Sequence, residues 1–506
     1  MSSWLSADML ADLTAVGPET RLLATIVVAI LVDLIFGHRA RVAVTVIGML
    51  GTAFALFALF DPALGTGTRA FGLLTNDSYG VFFRTLIIGG TGVLLLHTLL
   101  FRGAEESSRN EFVPMFLGTA LGACLLVNTD NLVMLLLSME LLSLNSYLLA
   151  GWQRKERRSS EAALKYLVYG AVASALMTFG FSLLYGLSGS LNMAEIGQSL
   201  SEAWYADTFN EQMAVLFASV LVFVGFGFKV AIVPFHFWAP DVYEGSPTPV
   251  TTFLAVVSKS AGFAVLLRFV HVVYLDESVN AAWVERLGYV IAVIAAVTMT
   301  YGNITAVLQR NVKRLLAYSS IAHAGYLLMG VAVMTSGSTS DAVEVGMDAT
   351  LFYMATYYLG TLGAFGCVMS LSNRFGAEDT DDYAGLGWSA PWTCGFLVVF
   401  LVSLVGLPPT AGFVGKLWLF NASLDVGLYW LAVVAALNAV VALFYYFKIV
   451  RALFLRGDHE ERVAGFRATG VMAFLGQASL AVMAVAVVYY CFGFDGLASW
   501  VSGSLL

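Results

Sequence analysis

The chain has 506 residues, of which 59% are hydrophobic and only 12% charged, with a mean hydropathy of +0.81 and a net charge of -8. A soluble domain carries about 25% charged residues, so these values exclude a globule kept in water by its surface. The basic residues are scattered among short loops, which excludes the basic stripe of a nucleic-acid binder.

The opening stretch MSSWLSADMLADLTAVGPETR leans acidic and lacks a basic n-region, so no cleaved signal peptide is expected. Apolar blocks follow, each about as long as a bilayer core is thick, roughly 20 residues. They cover 21–36, 42–60, 79–101, 112–128, 131–150, 161–187, 212–233, 248–272, 281–302, 313–334, 346–372, 390–420, 427–450 and 468–494. Lipid offers the backbone no hydrogen-bond partner, so each block reads as a helix. The expectation is an all-α polytopic membrane protein of about 14 transmembrane helices, one membrane domain over 1–506.

Charges inside the blocks are taken in chain order. Arg84 lies near one end of block 3 and is expected to snorkel to the interface, as is Lys448 near the end of block 13. Block 5, LLSMELLSLNSYLLAG, holds Glu140, the one carboxylate deep inside a span. Lys165 lies one turn into block 6, just after the run Arg154, Lys155, Arg157 and Arg158. Snorkelling and function both stay open for it.

Block 7 reads FGFKVAIVPFHFW, with Lys229 five residues before Pro234 and His236 beyond, a structural or entrance group. Block 8 carries Lys259 about midway, between Ser258 and Ser260. Block 10, AYSSIAHAGYLLMG, holds His323, which titrates in a useful range; a neutral histidine satisfied by Ser319 or Ser320 is the plainer alternative. Block 12, SLVGLPPTAGFVGKLWLF, has Pro408 and Pro409 with Lys416 about two turns on. Cys124, Cys367, Cys394 and Cys491 sit alone in apolar blocks without metal or redox spacing and read as small buried hydrophobes.

Proline removes an N–H and clashes with the preceding turn, so helices 7 and 12 are expected to be discontinuous. Five blocks separate the two breaks. Matched interrupted helices in two halves point to two inverted five-helix repeats, helices 4–8 and 9–13. The divisions expected are 1–105, 112–272, 281–455 and 456–506.

Orientation follows from lysine and arginine. Loops that follow odd-numbered helices carry Arg39, Arg41, Arg102, Arg109, the run at 154–158, Arg310, Lys313, Arg314, Arg374, Arg451, Arg456, Arg462 and Arg467. The other side has Arg21, Arg69, Arg268 and Arg286. An excess of about 16 to 4 marks the cytoplasmic side and places both termini opposite. One inner loop, RFGAEDTDDY, is acidic and disagrees, but acidic residues contribute little to orientation.

A lysine near the bilayer centre costs about 2.5–3.5 kcal/mol on insertion scales, so such residues are rarely kept without function. Burial favours the neutral form of a lysine, and a nearby carboxylate favours the charged form. Glu140 facing Lys229, with Lys259, His323 and Lys416 beyond, therefore reads as a switchable proton relay. A static ion pair is the plainer alternative for each lysine. No GxGxxG, P-loop, HExxH or cysteine framework is present, and no nucleotide, metal or haem site is visible.

The segments LSMELLSLNSYLLAG, KYLVYGAVASALMTFGFSLLYG, GFGFKVAIVPFHFWAPDVYEGSPTPVT, QRNVKRLLAYSSIAHAGYLLMG and SLVGLPPTAGFVGKLWLF resemble the antiporter-like subunits of respiratory complex I. The stretch from Trp238 to Thr251 and the lysine at 416 most resemble its subunit N family. The resemblance implies 14 helices, with Glu140 and Lys229 as the proton-loading pair and Lys165 as a modulator that pairs with Glu140. Lys259 becomes the central relay and Lys416 the exit group. It also implies a bacterial inner membrane location, neighbours in the K and M membrane subunits, and contact with membrane lipids. NADH, flavin (FMN), iron–sulfur clusters and quinone then belong to other subunits, with no cofactor in this chain.

Three rival readings stand beside it. A multi-subunit cation/proton antiporter or membrane-bound hydrogenase subunit shares the glutamate and lysines. A structural membrane subunit predicts that neutralising the buried lysines leaves activity intact. A free-standing solute carrier needs a substrate cavity with specific polar groups.

Overall fold

The computed structural model describes residues 12–60, 68–101, 110–205, 209–275, 281–336, 340–455 and 470–506. The orientation count at Arg102, Arg109, Arg456, Arg462 and Arg467 lies outside the described residues, as does the start of block 14.

The helices in chain order are α1 (Gly17–Phe36), α2 (Arg41–Ala58), α3 (Ser78–Leu100), α4 (Phe112–Val127), α5 (Leu132–Ala150), α6 (Arg157–Ser188) and α7 (Met193–Tyr205). Then come α8 (Phe209–Val230), α9 (Trp238–Gly245), α10 (Thr248–Tyr274), α11 (Ala281–Val307), α12 (Val312–Ser336) and α13 (Ser340–Phe375). The last are α14 (Pro391–Val405), α15 (Ala411–Asp425), α16 (Tyr429–Phe454), α17 (Val471–Phe492) and α18 (Asp495–Ser502). Eleven described helices are long and apolar enough to cross a membrane. Helices α1 and α4 and the broken pair α14–α15 complete the set expected from the sequence.

Both expected breaks are present. Helix α8 stops at Val230, Ala231 takes a left-handed backbone, and α9 resumes at Trp238. Helix α14 stops at Val405, Gly406 turns with φ of 85°, and α15 begins at Ala411. The prolines are the local cause, since neither Pro234 nor Pro408 and Pro409 can donate to a continuing ladder. The breaks fall in the two matching five-helix repeats. Five is odd, so each element of the second repeat runs opposite to its counterpart in the first.

Several elements were not expected, among them α18, which follows the last apolar block, and a one-turn helix over Leu386–Ser389. Helix α7 lies in the polar connection after α6. A short hairpin pairs Thr68–Ala70 with Leu74–Asn76 antiparallel, Ala70 opposite Leu74, and Leu74 bridges to Thr129.

Helices α10 and α12 are buried through their apolar middles, whereas α17 is mostly open to its surroundings. The row of titratable groups therefore runs through the centre of the bundle. Close packing around it depends on small residues: a Cβ at Gly302 of α11 would stand 2.6 Å from the Ala322 nitrogen of α12. In return, one at Gly325 would stand 2.7 Å from that of Met299. Only glycine lets these two backbones approach so closely.

The acidic loop that disagreed is tied to the arginine-bearing loop before α12, through Val312 N–H to the Glu378 carbonyl at 2.9 Å. Thr380 N–H donates to the Arg310 carbonyl at 2.8 Å. Its residues share the basic face in spite of their charge. On the opposite face, Leu132 N–H reaches the Leu191 carbonyl and Met193 N–H the Asp130 carbonyl.

Candidate functional site

Lys229, Lys259, His323 and Lys416 are each 2–3% exposed. Each of the three lysines lies beside a departure from regular helix, whereas His323 lies mid-way along the continuous helix α12. Lys229 lies in the last turn of α8, where unpaired carbonyls carry partial negative charge that favours a cation. Its ammonium donates to Ser143 Oγ of α5 at 3.0 Å. One turn from Ser143 along α5, Glu140 accepts from the Ser174 hydroxyl of α6. No direct Glu140–Lys229 ion pair forms, but the carboxylate is near enough to act on the ammonium through space. Glu140 is only partly buried, so it is a rim group of this site.

Lys259 follows a π-turn over Leu254–Ser258. A π-turn inserts one residue and shifts the side chains after it around the helix axis. Lys259 Nζ donates to both the carbonyl and the hydroxyl of Ser320, each at 2.5 Å. Ser320 in turn meets the Tyr357 hydroxyl at 2.9 Å, and Tyr357 donates to the Ala255 carbonyl inside the π-turn at 3.1 Å. Lys229 packs against the same helix one turn further on, with its Cγ 3.2 Å from where a Cβ on Gly262 would stand.

His323 bonds Tyr353 OH through Nδ1 at 2.5 Å and Tyr446 OH through Nε2 at 3.2 Å. Tyrosines, not the expected Ser319 or Ser320, satisfy it. Ser319 is bonded to Tyr446 and Ser320 serves Lys259. On one side the His323 ring lies 4.9 Å from that of Tyr357, whose hydroxyl meets Ser320 beside Lys259. Tyr326 completes the run, its ring 6.0 Å from that of Tyr353 and 4.5 Å from Lys416 Nζ. The tyrosines on α12, α13 and α16 were missed in the sequence. Tyr353 and Tyr357 recur one turn apart on α13, but tyrosine in an apolar block reads first as packing.

Two expected charges behave differently. Lys165 was expected to pair with Glu140. It instead bonds Asp241 of α9 at 2.5 Å and Glu161, one turn back on its own helix, at 2.7 Å. Nine residues separate it from Ser174, the α6 residue that touches Glu140, a rise of about 13 Å that the two side chains do not span. Arg84 was expected to snorkel. It is fully buried and bonds Asn76, the Gly80 carbonyl and, at 3.4 Å, Glu19. Glu140 is therefore not the only carboxylate inside a span: α1 begins at Gly17, four residues earlier than the apolar pattern indicates, and takes in Glu19. Arg268, counted among the outer flanks, is also buried and paired with Asp77 at 2.7 Å. Lys448 donates to the Gln309 carbonyl at the basic face. His236 is buried beside Tyr301, and neither ring nitrogen has a partner among the described residues.

Among the described residues no group of three or more His, Cys, Asp or Glu could hold a metal ion. Ammonium, hydroxyl and imidazole groups thus stand in hydrogen-bonded clusters that ring contacts join, the kinds of group a proton relay uses.

Residues 129–442 match the family model described as NADH:quinone oxidoreductase/Mrp antiporter, TM. NADH-quinone oxidoreductase subunit N of Chlorobium chlorochromatii is 44% identical over 446 residues, covering 87% of this chain and 84% of the relative. Subunit N of an Anaeromyxobacter species is 38% identical, covering 92% of each chain. Among solved structures, a chain of respiratory complex I from Thermus thermophilus is 30% identical with a TM-score of 0.76, covering 96% of this chain and 99% of that one. A chain of the Mrp complex from Dietzia is 20% identical with a TM-score of 0.79, a likeness of fold, covering 98% of this chain and 97% of that one.

Proposed function

The chain belongs to the NADH:quinone oxidoreductase/Mrp antiporter family as a proton-translocating subunit N of NADH-quinone oxidoreductase, and we propose that its protons pass along the buried row. They load at Glu140 and Lys229, cross Lys259 and His323, and leave at Lys416. The observation that carries this assignment is the hydrogen-bonded series Lys259–Ser320–Tyr357 beside the cluster of His323 with Tyr353 and Tyr446, with the Tyr326 ring packed between Tyr353 and Lys416. Isolated buried ammonium groups would each bear a cost of several kcal/mol and conduct nothing.

Charge crossing a membrane works against about 2.3 kcal/mol per 100 mV, so an outside event must drive it. In this reading that event is NADH oxidation and quinone reduction in other subunits, and the redox groups lie there. The driving motion changes the charge facing Glu140, and Lys229 releases its proton toward Lys259. The basic face looks into the cytoplasm of a bacterial cell, both termini lie on the other side of the inner membrane, and the K and M subunits flank the chain. Lys165 acts on the loading pair from the basic face.

The test is Lys259→Met in the whole complex, reconstituted in vesicles and followed by proton uptake on NADH addition. Uptake per assembled complex at the native rate would remove Lys259 from the path.

A further inference from the structure

Helix α9, the second half of the first broken helix, is eight residues long. A segment so short has little hold of its own, and side-chain partners decide where it lies. Asp241 provides two. It accepts from Lys165 of α6 at 2.5 Å and from Arg314 of α12. Asp241 thus ties the first repeat to the second. A cavity of about 200 Å³ opens beside these pairs, so they are reached from the basic face while Lys229 is not.

The residue after Lys165 extends this tie inward. Tyr166 is fully buried and lies flat on Trp238, with ring centroids 4.4 Å apart and planes at 12°. Trp238 opens α9 three residues before Asp241, so both lie on one side of it. Its indole N–H donates to the Phe228 carbonyl at 2.9 Å. That carbonyl lies in the last turn of α8, and the next residue is Lys229. Tyr166, Phe228, Lys229 and Trp238 are all closely packed, and packed cores transmit displacement rather than absorb it.

We propose that Asp241 is a positioning residue for Lys229. Its ion pair with Lys165 sets how Tyr166 and Trp238 bear on the helix break, and thereby where the Lys229 ammonium lies relative to Ser143 and Glu140. The proposal rests on the reading of Lys229 as a proton carrier.

The experiment compares Asp241→Asn, Asp241→Glu, Trp238→Phe, the Asp241→Asn/Trp238→Phe double variant and Lys229→Met in vesicles holding the whole complex. Proton uptake is expressed per assembled complex. Asp241→Asn and Trp238→Phe are each expected to slow uptake about fivefold or more, the lower range for coupled sites. The double variant loses no more than the worse single one, because both act through one path. Asp241→Glu, which keeps the charge, recovers most of the rate. Native uptake in Trp238→Phe, additive losses, or an Asp241→Glu variant as slow as the amide overturns the proposal. If Asp241→Asn does not assemble, Trp238→Phe and Asp241→Glu alone decide by the same criteria. Native uptake in Lys229→Met overturns the reading of the row and this proposal with it. Lost uptake there beside native uptake in the other variants overturns this proposal alone.

Discussion

Lys416 closes the open end of the helix before its own: its ammonium donates to the carbonyls of Val405 at 2.8 Å and Leu404 at 3.2 Å, in the last turn of α14. Helix ends leave their final carbonyls unpaired, and a cation there is worth about 0.3–1 kcal/mol, up to about 2 when partly buried. Lys416→Met removes both this cap and the last titratable group of the row. Proton uptake by vesicles holding the complex is expected to fall about a hundredfold or more, as when a proton-transfer group is lost. Uptake at the native rate would exclude an exit role.

Glu140→Gln keeps an acceptor for the Ser174 hydroxyl and removes the charge facing Lys229. Assembly should persist, while quinone reductase activity coupled to pumping falls about a hundredfold or more. The amount of complex in detergent extracts and the coupled rate, measured on the same membranes, separate the two effects. Wild-type pumping in the assembled variant would end the loading role.

Tyr357→Phe removes the hydroxyl that joins Ser320 to the Ala255 carbonyl within the π-turn. The carbonyl is left buried without that partner, at a cost of about 1–3 kcal/mol. A lower unfolding temperature in detergent and slower proton uptake are both expected. A variant as stable as the parent would show that the π-turn is held by packing alone.

Glu19→Leu leaves the Arg84 guanidinium buried with only neutral partners. Breaking a buried pair from one side costs about 3–5 kcal/mol, whereas replacing both partners is often nearly neutral. The double variant Glu19→Leu/Arg84→Met is therefore expected to be more stable than Glu19→Leu alone in thermal unfolding. A single variant within about 1 kcal/mol of the parent would return Arg84 to the behaviour of a surface charge.

The two helix breaks were legible because their cause is local. A proline in an apolar block interrupts the ladder whatever surrounds it. The central cations Lys229, Lys259 and Lys416 were legible for a similar reason, since depth in a span follows from counting along it. The π-turn before Lys259 was not legible: LAVVS has no proline or glycine to mark it. What favours it is Tyr357 on α13, whose hydroxyl takes up the Ala255 carbonyl.

Composition and local order thus determined by themselves that this chain crosses a membrane many times, breaks two helices at matching places and buries three lysines and a histidine beside or between those breaks. Partnership among the charges was decided only by tertiary structure. Lys165 and Asp241 are 76 residues apart and Arg84 and Glu19 are 65 apart. A buried charge goes to whichever opposite charge or dipole the packed helices bring within about 4 Å, and attraction at that range outweighs any preference written along one helix. Hydropathy reports how deep a residue lies; only the packing of α6 against α9, or of α1 and α3 against α4, determines what it meets there.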